Sequence, residues 1–123
     1  GKSKFTYRPF TLEGNFAFAA GIQEMLMQSH TGIIRLFPSI PKEWKDASFN
    51  KLRAMGAFIV SAEMKDGKVK HITINPEQGG VLKIAIPEGS SIASIKGNEG
   101  EKQFKDGILT LNTIKGRAVI IEM

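Results

Sequence analysis

The sequence predicts a mainly β fold: an antiparallel β-sandwich with one N-terminal α-helix. Three observations predict it. Apolar and polar residues alternate in short runs through the second half of the chain. Asp-Gly pairs at Asp66-Gly67 and Asp106-Gly107 are preferred two-residue hairpin turns. The stretch TLEGNFAFAAGIQEMLMQSH, residues 11–30, instead carries a helical period and is apolar on nearly every side.

In chain order, helical spacing runs over residues 16–29. Phe18, Ile22, Met25 and Leu26 share one face, and Phe16, Ala20 and Met27 share a second. Gln23, Glu24, Gln28 and Ser29 are the clearly polar positions. Asn15 suits the N-cap, because its side-chain oxygen can accept from free amides of the first turn. Gly32 suits the position after the helix, and His30 stands where the helix dipole gathers partial negative charge. A helix so apolar belongs inside a larger assembly.

After Gly32 the period changes from 3.6 to 2. IIRLF (33–37) reads as a short strand, closed by the Pro-punctuated loop PSIPKEW. AFIVSAEMK (57–65) puts Phe58, Val60, Ala62 and Met64 on one side. Asp66-Gly67 turns the chain into KVKHITIN (68–75), with Ile72 and Ile74 on one face. VLKIAIP (81–87) alternates again, and SIASIK (91–96) is a weaker strand. KQFK and ILTLN flank Asp106-Gly107, and Lys115-Gly116 leads into RAVIIEM. The expected organisation is a helical segment, a linker near 31–50 and an all-β domain to the end. Its expected core includes Phe58, Val60, Ile72, Ile74, Leu82, Ile84, Ile86, Leu109, Leu111 and Ile120.

The 123 residues fall within the size of one domain, and 41% hydrophobic with 24% charged residues is ordinary for a globular protein. With no cysteine, disulfides, thiolate metal sites and thiol catalysis are excluded. The net charge of +5 is spread over single lysines, and one Trp and one Tyr offer little for base stacking. Nucleic acid is therefore not an expected partner. No apolar run is long enough to span a membrane, and GKSKFTYRPF lacks the apolar centre of a signal peptide. A chain opening on Gly1 is expected to be a piece of something longer.

The usual catalytic patterns are missing. His30 and His71 are the two histidines, and His71 alternates with lysines as a surface strand residue would. No H-E-x-x-H, phosphate loop or G-x-G-x-x-G occurs. No cofactor or metal is expected. Trp44 has two readings: a plug that packs the Pro-rich loop onto the sandwich, or a platform for stacking a sugar.

The stretch 8–44, RPFTLEGNFAFAAGIQEMLMQSHTGIIRLFPSIPKEW, resembles the C-terminal part of glycoside hydrolase family 95, the inverting α-L-fucosidases and their relatives. The family pattern reads approximately P-F-x-x-D-G-N-F-G, then E-M-L-x-Q-S-H on a helix, then G-x-I-x-L-L-P-A-L-P and a Trp. The matching residues are Pro9-Phe10, Gly14-Asn15-Phe16, Glu24-Met25-Leu26, Gln28-Ser29-His30, the run from Ile34 to Pro41, and Trp44. The resemblance implies an (α/α)6 catalytic barrel whose last helix runs into a terminal β domain. On that basis residues 1–31 are expected to end the truncated barrel, and residues 32–123 to form the sandwich. Neighbours within the barrel would explain the helix's all-round apolar surface. The implied partners are the upstream barrel and a carbohydrate substrate, with a periplasmic or secreted parent. Cut from its barrel, the stretch 16–29 is expected to dock on its own sandwich, to pair with another molecule, or to fray.

The family's acidic residue before Gly-Asn-Phe is Asp, which serves with upstream Asn side chains in activating water. Here that position is Glu13, the one candidate catalytic residue, and Ala17 stands where the family usually has Gly. The extra methylene moves the carboxylate by roughly 1.5 Å, and a misplacement of about 1 Å can cost about a hundredfold in rate. The parent has either an adjusted pocket or an altered or lost activity. Without the resemblance, Glu13 reads as a carboxylate favoured at a helix start. The family's general acid lies far upstream. Inversion needs two carboxyl groups, so the chain alone is expected to be inactive. Two rival readings are an independent carbohydrate-binding module and a protein-interaction sandwich.

Overall fold

The computed structural model describes residues 10–13 and 24–123. The expected N-cap Asn15 and the helical positions from Phe16 to Gln23 lie outside these residues. The described chain is mainly β, with residues 24–26 helical. Its strands are β1 (Phe10–Glu13), β2 (Met27–Gln28), β3 (Arg35–Leu36), β4 (Ala47–Ala54), β5 (Phe58–Lys65), β6 (Lys68–Pro76), β7 (Gly80–Ala85), β8 (Ser94–Lys96), β9 (Glu99–Lys105), β10 (Ile108–Thr113) and β11 (Val119–Glu122).

Both Asp-Gly hairpins form. Asp66 and Gly67 have φ of 54° and 78°, and Asp106 and Gly107 have 53° and 77°. Two successive positive φ values give the turn twist that matches the flanking strands. The first turn joins β5 to β6, and the second joins β9 to β10.

The strands build a six-stranded sheet in the order β1-β4-β5-β6-β11-β8 and a three-stranded sheet in the order β7-β10-β9. A small ribbon of β2 and β3 completes the set. The named strands pair antiparallel except where β1 lies parallel to β4, and the isolated bridge between Ile34 and Ile84 is parallel too. Ile34 ties the ribbon to the smaller sheet: its N–H donates to Lys83 O, and its own carbonyl accepts from Ala85 N, both at 2.9 Å.

The two sheets share one core. Phe49, Leu52, Phe58, Val60, Ile72 and Ile74 come from the large sheet, and Leu82, Ile84, Leu109 and Leu111 from the small one. Each such side chain, fully buried, contributes about 1.5–3 kcal/mol relative to exposure. Alternation along β5 and β10 sends every second residue inward, as the sequence predicts.

Four expectations change. First, the expected linker near 31–50 contains β3 and the start of β4, and β4 is central to the fold. Its alternation is interrupted: Ala47 and Phe49 face in, then Leu52 and Ala54. The extra residue is a β-bulge between Phe49 and Leu52, which breaks the period a strand is recognised by. Second, the helix expected to reach Ser29 ends by Leu26. Met27 and Gln28 pair instead with Leu36 and Arg35, and Phe37 N donates to Leu26 O at 2.7 Å. Third, Ile120 is only half-buried, whereas Val119 and Ile121 are fully buried. Three consecutive apolar residues leave the phase open. Pairing with Ile74 and Ile72 of β6 decides it in favour of 119 and 121. Fourth, IIRLF is strand only at Arg35–Leu36, because Phe37 takes a left-handed φ of 51°.

The apolar residues at the end of the helical stretch do find cover. Leu26 is 0% and Met27 4% exposed, and both belong to the sandwich core.

Candidate functional site

The family motif read from the sequence is held by β4 at both of its described ends. At the front, β1 lies along β4 in register, Phe10 opposite Ala47 through Glu13 opposite Asn50. Glu13 is thus the last residue of the ladder and stands beside the bulge. At the back, Met55 N, just past the end of β4, donates to Ser29 Oγ at 2.9 Å. Gln28 caps the helical turn, its Nε2 donating to Glu24 O at 3.2 Å. His30, the last residue of the Gln-Ser-His part of the motif, is exposed.

The bulge has its own latch. Asn50 and Lys51 together oppose the single residue Ser61 of β5. Lys51 takes a left-handed φ of 62°. Its N–H donates to Ser61 Oγ at 3.0 Å, and the same hydroxyl donates to Asn50 Oδ1 at 2.8 Å. The backbone amide that the bulge removes from the ladder is therefore satisfied by a side chain. Sequence reasoning missed Ser61, because its role exists only once β4 and β5 are paired. The available signal was the phase slip in ASFNKLRA.

A second polar group lies on the outer face of the large sheet. His71 sits between Glu63 of β5 and Glu122 of β11 in cross-strand register. Its Nδ1 is 2.7 Å from Glu122 Oε2, and its Nε2 is 3.0 Å from Thr73 Oγ1. Carboxylate, imidazole and hydroxyl in line resemble the wiring of a nucleophilic triad. Acyl transfer also needs a substrate cavity and preorganised oxyanion donors. Thr73 is instead mid-strand, paired on both sides by Ser61 and Ile120. The arrangement is a surface network, in keeping with the surface position predicted for His71.

Two grooves open elsewhere. One, of ≈ 400 Å³, is lined by Phe37, Met64, Lys68, Pro87 and Ser90 among others. The other lies between β8 and β9 and is lined by Ile92, Ser94, Asn98 and Lys102 among others. Neither contains a pair of carboxylates. No cluster among the described residues could hold a metal ion. No helix among them is long and apolar enough to cross a membrane. Trp44 is half-buried in the Pro-rich loop, its N–H donating to Pro41 O at 3.0 Å. Among residues of described exposure, Phe104 is the single exposed aromatic. A row of stacking platforms for sugar is not present among them.

The described residues thus form a two-sheet sandwich whose strand β4 clasps a preceding segment. The pattern that defines the glycoside hydrolase family 95 C-terminal domain matches residues 28–121, and the chain belongs to that family. Alpha-L-fucosidase 2 of Arabidopsis thaliana is 38% identical to it over 71 residues. The aligned stretch takes in 57% of this chain and 8% of the length of that relative.

Proposed function

We propose that this chain is the C-terminal accessory region of an inverting glycoside hydrolase acting on α-L-fucosides or related sugars. Residues 1–31 complete the catalytic barrel in this reading, and residues 32–123 form the sandwich that closes onto it. The observation that carries it is the double attachment of the motif segment to β4, through β1 and through Ser29. Residues matching the barrel's catalytic loop and last helix are thereby joined to a domain of the matching family. The fucoside substrate is inferred from the similarity to the Arabidopsis fucosidase.

Glu13 is the carboxylate that activates water in this proposal. Inversion places a base on the face opposite the leaving group, with the general acid supplied by another part of the protein. The sandwich contributes position and no reacting group, so the 123-residue chain alone has no turnover. The test is kinetics of the full-length enzyme on an α-L-fucoside. Glu13→Gln keeps size and hydrogen bonding but removes the charge. It is expected to lower kcat at least about a hundredfold, the lower range for losing an acid–base group, with a much smaller effect on KM. Glu13→Asp, which restores the family's usual residue, is expected to retain or raise activity. An unimpaired Gln variant would reduce Glu13 to a helix-start carboxylate.

A further inference from the structure

We infer that β9 is an interaction surface for a second copy of this chain, the two β9 strands pairing antiparallel about a two-fold axis at Gln103.

Strand β9 ends the three-stranded sheet, and all seven of its residues are exposed. One edge pairs with β10. Among the described residues no strand pairs with the other edge. Toward β8 there is an open groove of ≈ 390 Å³ rather than a packed strand. A row of unpaired backbone N–H and C=O groups is a template for another strand. Phe104 marks the same side of the sandwich as unfinished. It lies opposite Leu109, which is 0% exposed, so it stands on the core face of the sheet, yet it is 55% exposed.

The backbone sets the length of the template. Gly100 has a φ of 73° and Asp106 a φ of 53°, and neither value is extended. The stretch between them is Glu101-Lys102-Gln103-Phe104-Lys105, all of it strand, with Gln103 at its midpoint. A closed pair of identical strands needs a two-fold axis, which sets one patch against itself. An axis at Gln103 is the one that pairs all five residues.

The side chains fit that register. Glu101 lies opposite Lys105 of the second copy, and Lys105 opposite its Glu101. Lys102 lies opposite Phe104, and Phe104 opposite Lys102, an ammonium within reach of a ring. Gln103 meets Gln103, amide to amide. Directly opposed residues share a face, and there opposite charges attract while like charges repel. An axis at Glu101 or at Lys102 would set like charges opposite, and an axis at Phe104 would leave Glu101 without its lysine. Natural edges are often blunted by charges that an arriving strand does not match. Within Glu101–Lys105 the order of charges instead matches itself when reversed.

The experiment is sedimentation velocity of the full-length protein over a range of concentration and salt. It compares the wild type, Glu101→Lys, Lys105→Glu and the double variant Glu101→Lys/Lys105→Glu. Both side chains are exposed, so the sandwich core is untouched by the changes. The wild type is expected to form a reversible dimer that weakens as salt is added. Each single reversal sets like charges opposite at two symmetric positions and is expected to raise the dimer Kd at least about tenfold. The double variant exchanges the two partners and is expected to restore the wild-type Kd. A wild type that stays monomeric at every concentration, a dimer indifferent to the single reversals, or a double variant as weak as the singles would overturn the inference.

Discussion

Gly97 lies in the short turn between β8 and β9, where a Cβ would stand 2.0 Å from Ala118 O and 3.2 Å from Val119 Cα. Gly116 also has positive φ, 78°, but a Cβ there would meet open space. Left-handed backbone costs an L-residue roughly 1–2 kcal/mol at either site, and only Gly97 adds a collision with backbone. Gly97→Ala should therefore lower the urea midpoint well beyond Gly116→Ala. Equal midpoints would contradict the seating of this turn against the start of β11. Both glycines are plain in the sequence, but which one is crowded depends on a strand more than twenty positions from Gly97. Asp66-Gly67 and Asp106-Gly107 were legible for the opposite reason: their turn chemistry is local. Ser61 was not legible, since a hydroxyl on an alternating strand looks like any solvent-facing residue until its cross-strand partner is known.

Element by element, the sequence predicted strands where alternation was unbroken, as in β5, β7 and β10, and also in β6, where the register shifts between Val69 and His71. It missed β4, where the bulge shifts the phase, and at β11 it found the strand but not the phase, because AVII alternates with nothing. The β11 assignment is open to a direct check. Ile121 faces the core opposite Ile72, while Ile120 lies opposite Thr73 on the outer face. Ile121→Ala is expected to cost about 2–5 kcal/mol, the range for deleting a buried Ile side chain, and Ile120→Ala less than half as much. Urea unfolding of the two variants decides it, and a larger loss at 120 would place β11 one residue out of register. The exposed Arg53–Glu77 pair beside the β4–β5 turn is a contrasting case. Both side chains are well exposed, so removing either partner should change stability by less than about 1 kcal/mol.

At the scale of the whole molecule, the organising strand is β4. It contributes Phe49, Leu52 and Ala54 to the core, carries β1 on its outer edge, and ends beside the amide that holds Ser29. A sandwich built this way is a clasp for the chain that precedes it. The family resemblance in residues 8–44 was legible because the motifs are contiguous. The clasp was not, because it joins residues about forty positions apart by backbone pairing, which leaves no mark in composition or period. The resemblance also explains the opposed demands on residues 24–30: part of the motif faces the sandwich, as Leu26 and Met27 do, and part does not, as exposed His30 shows. The most direct test of the clasp is amide hydrogen exchange in the full-length protein, followed at residues 10–13 and 47–50. The β1 amides that face β4 are predicted to exchange as slowly as those of residues 47–50, and Ser61→Ala to speed both sets together. Free-peptide exchange at residues 10–13 beside protected amides at 47–50 would contradict it.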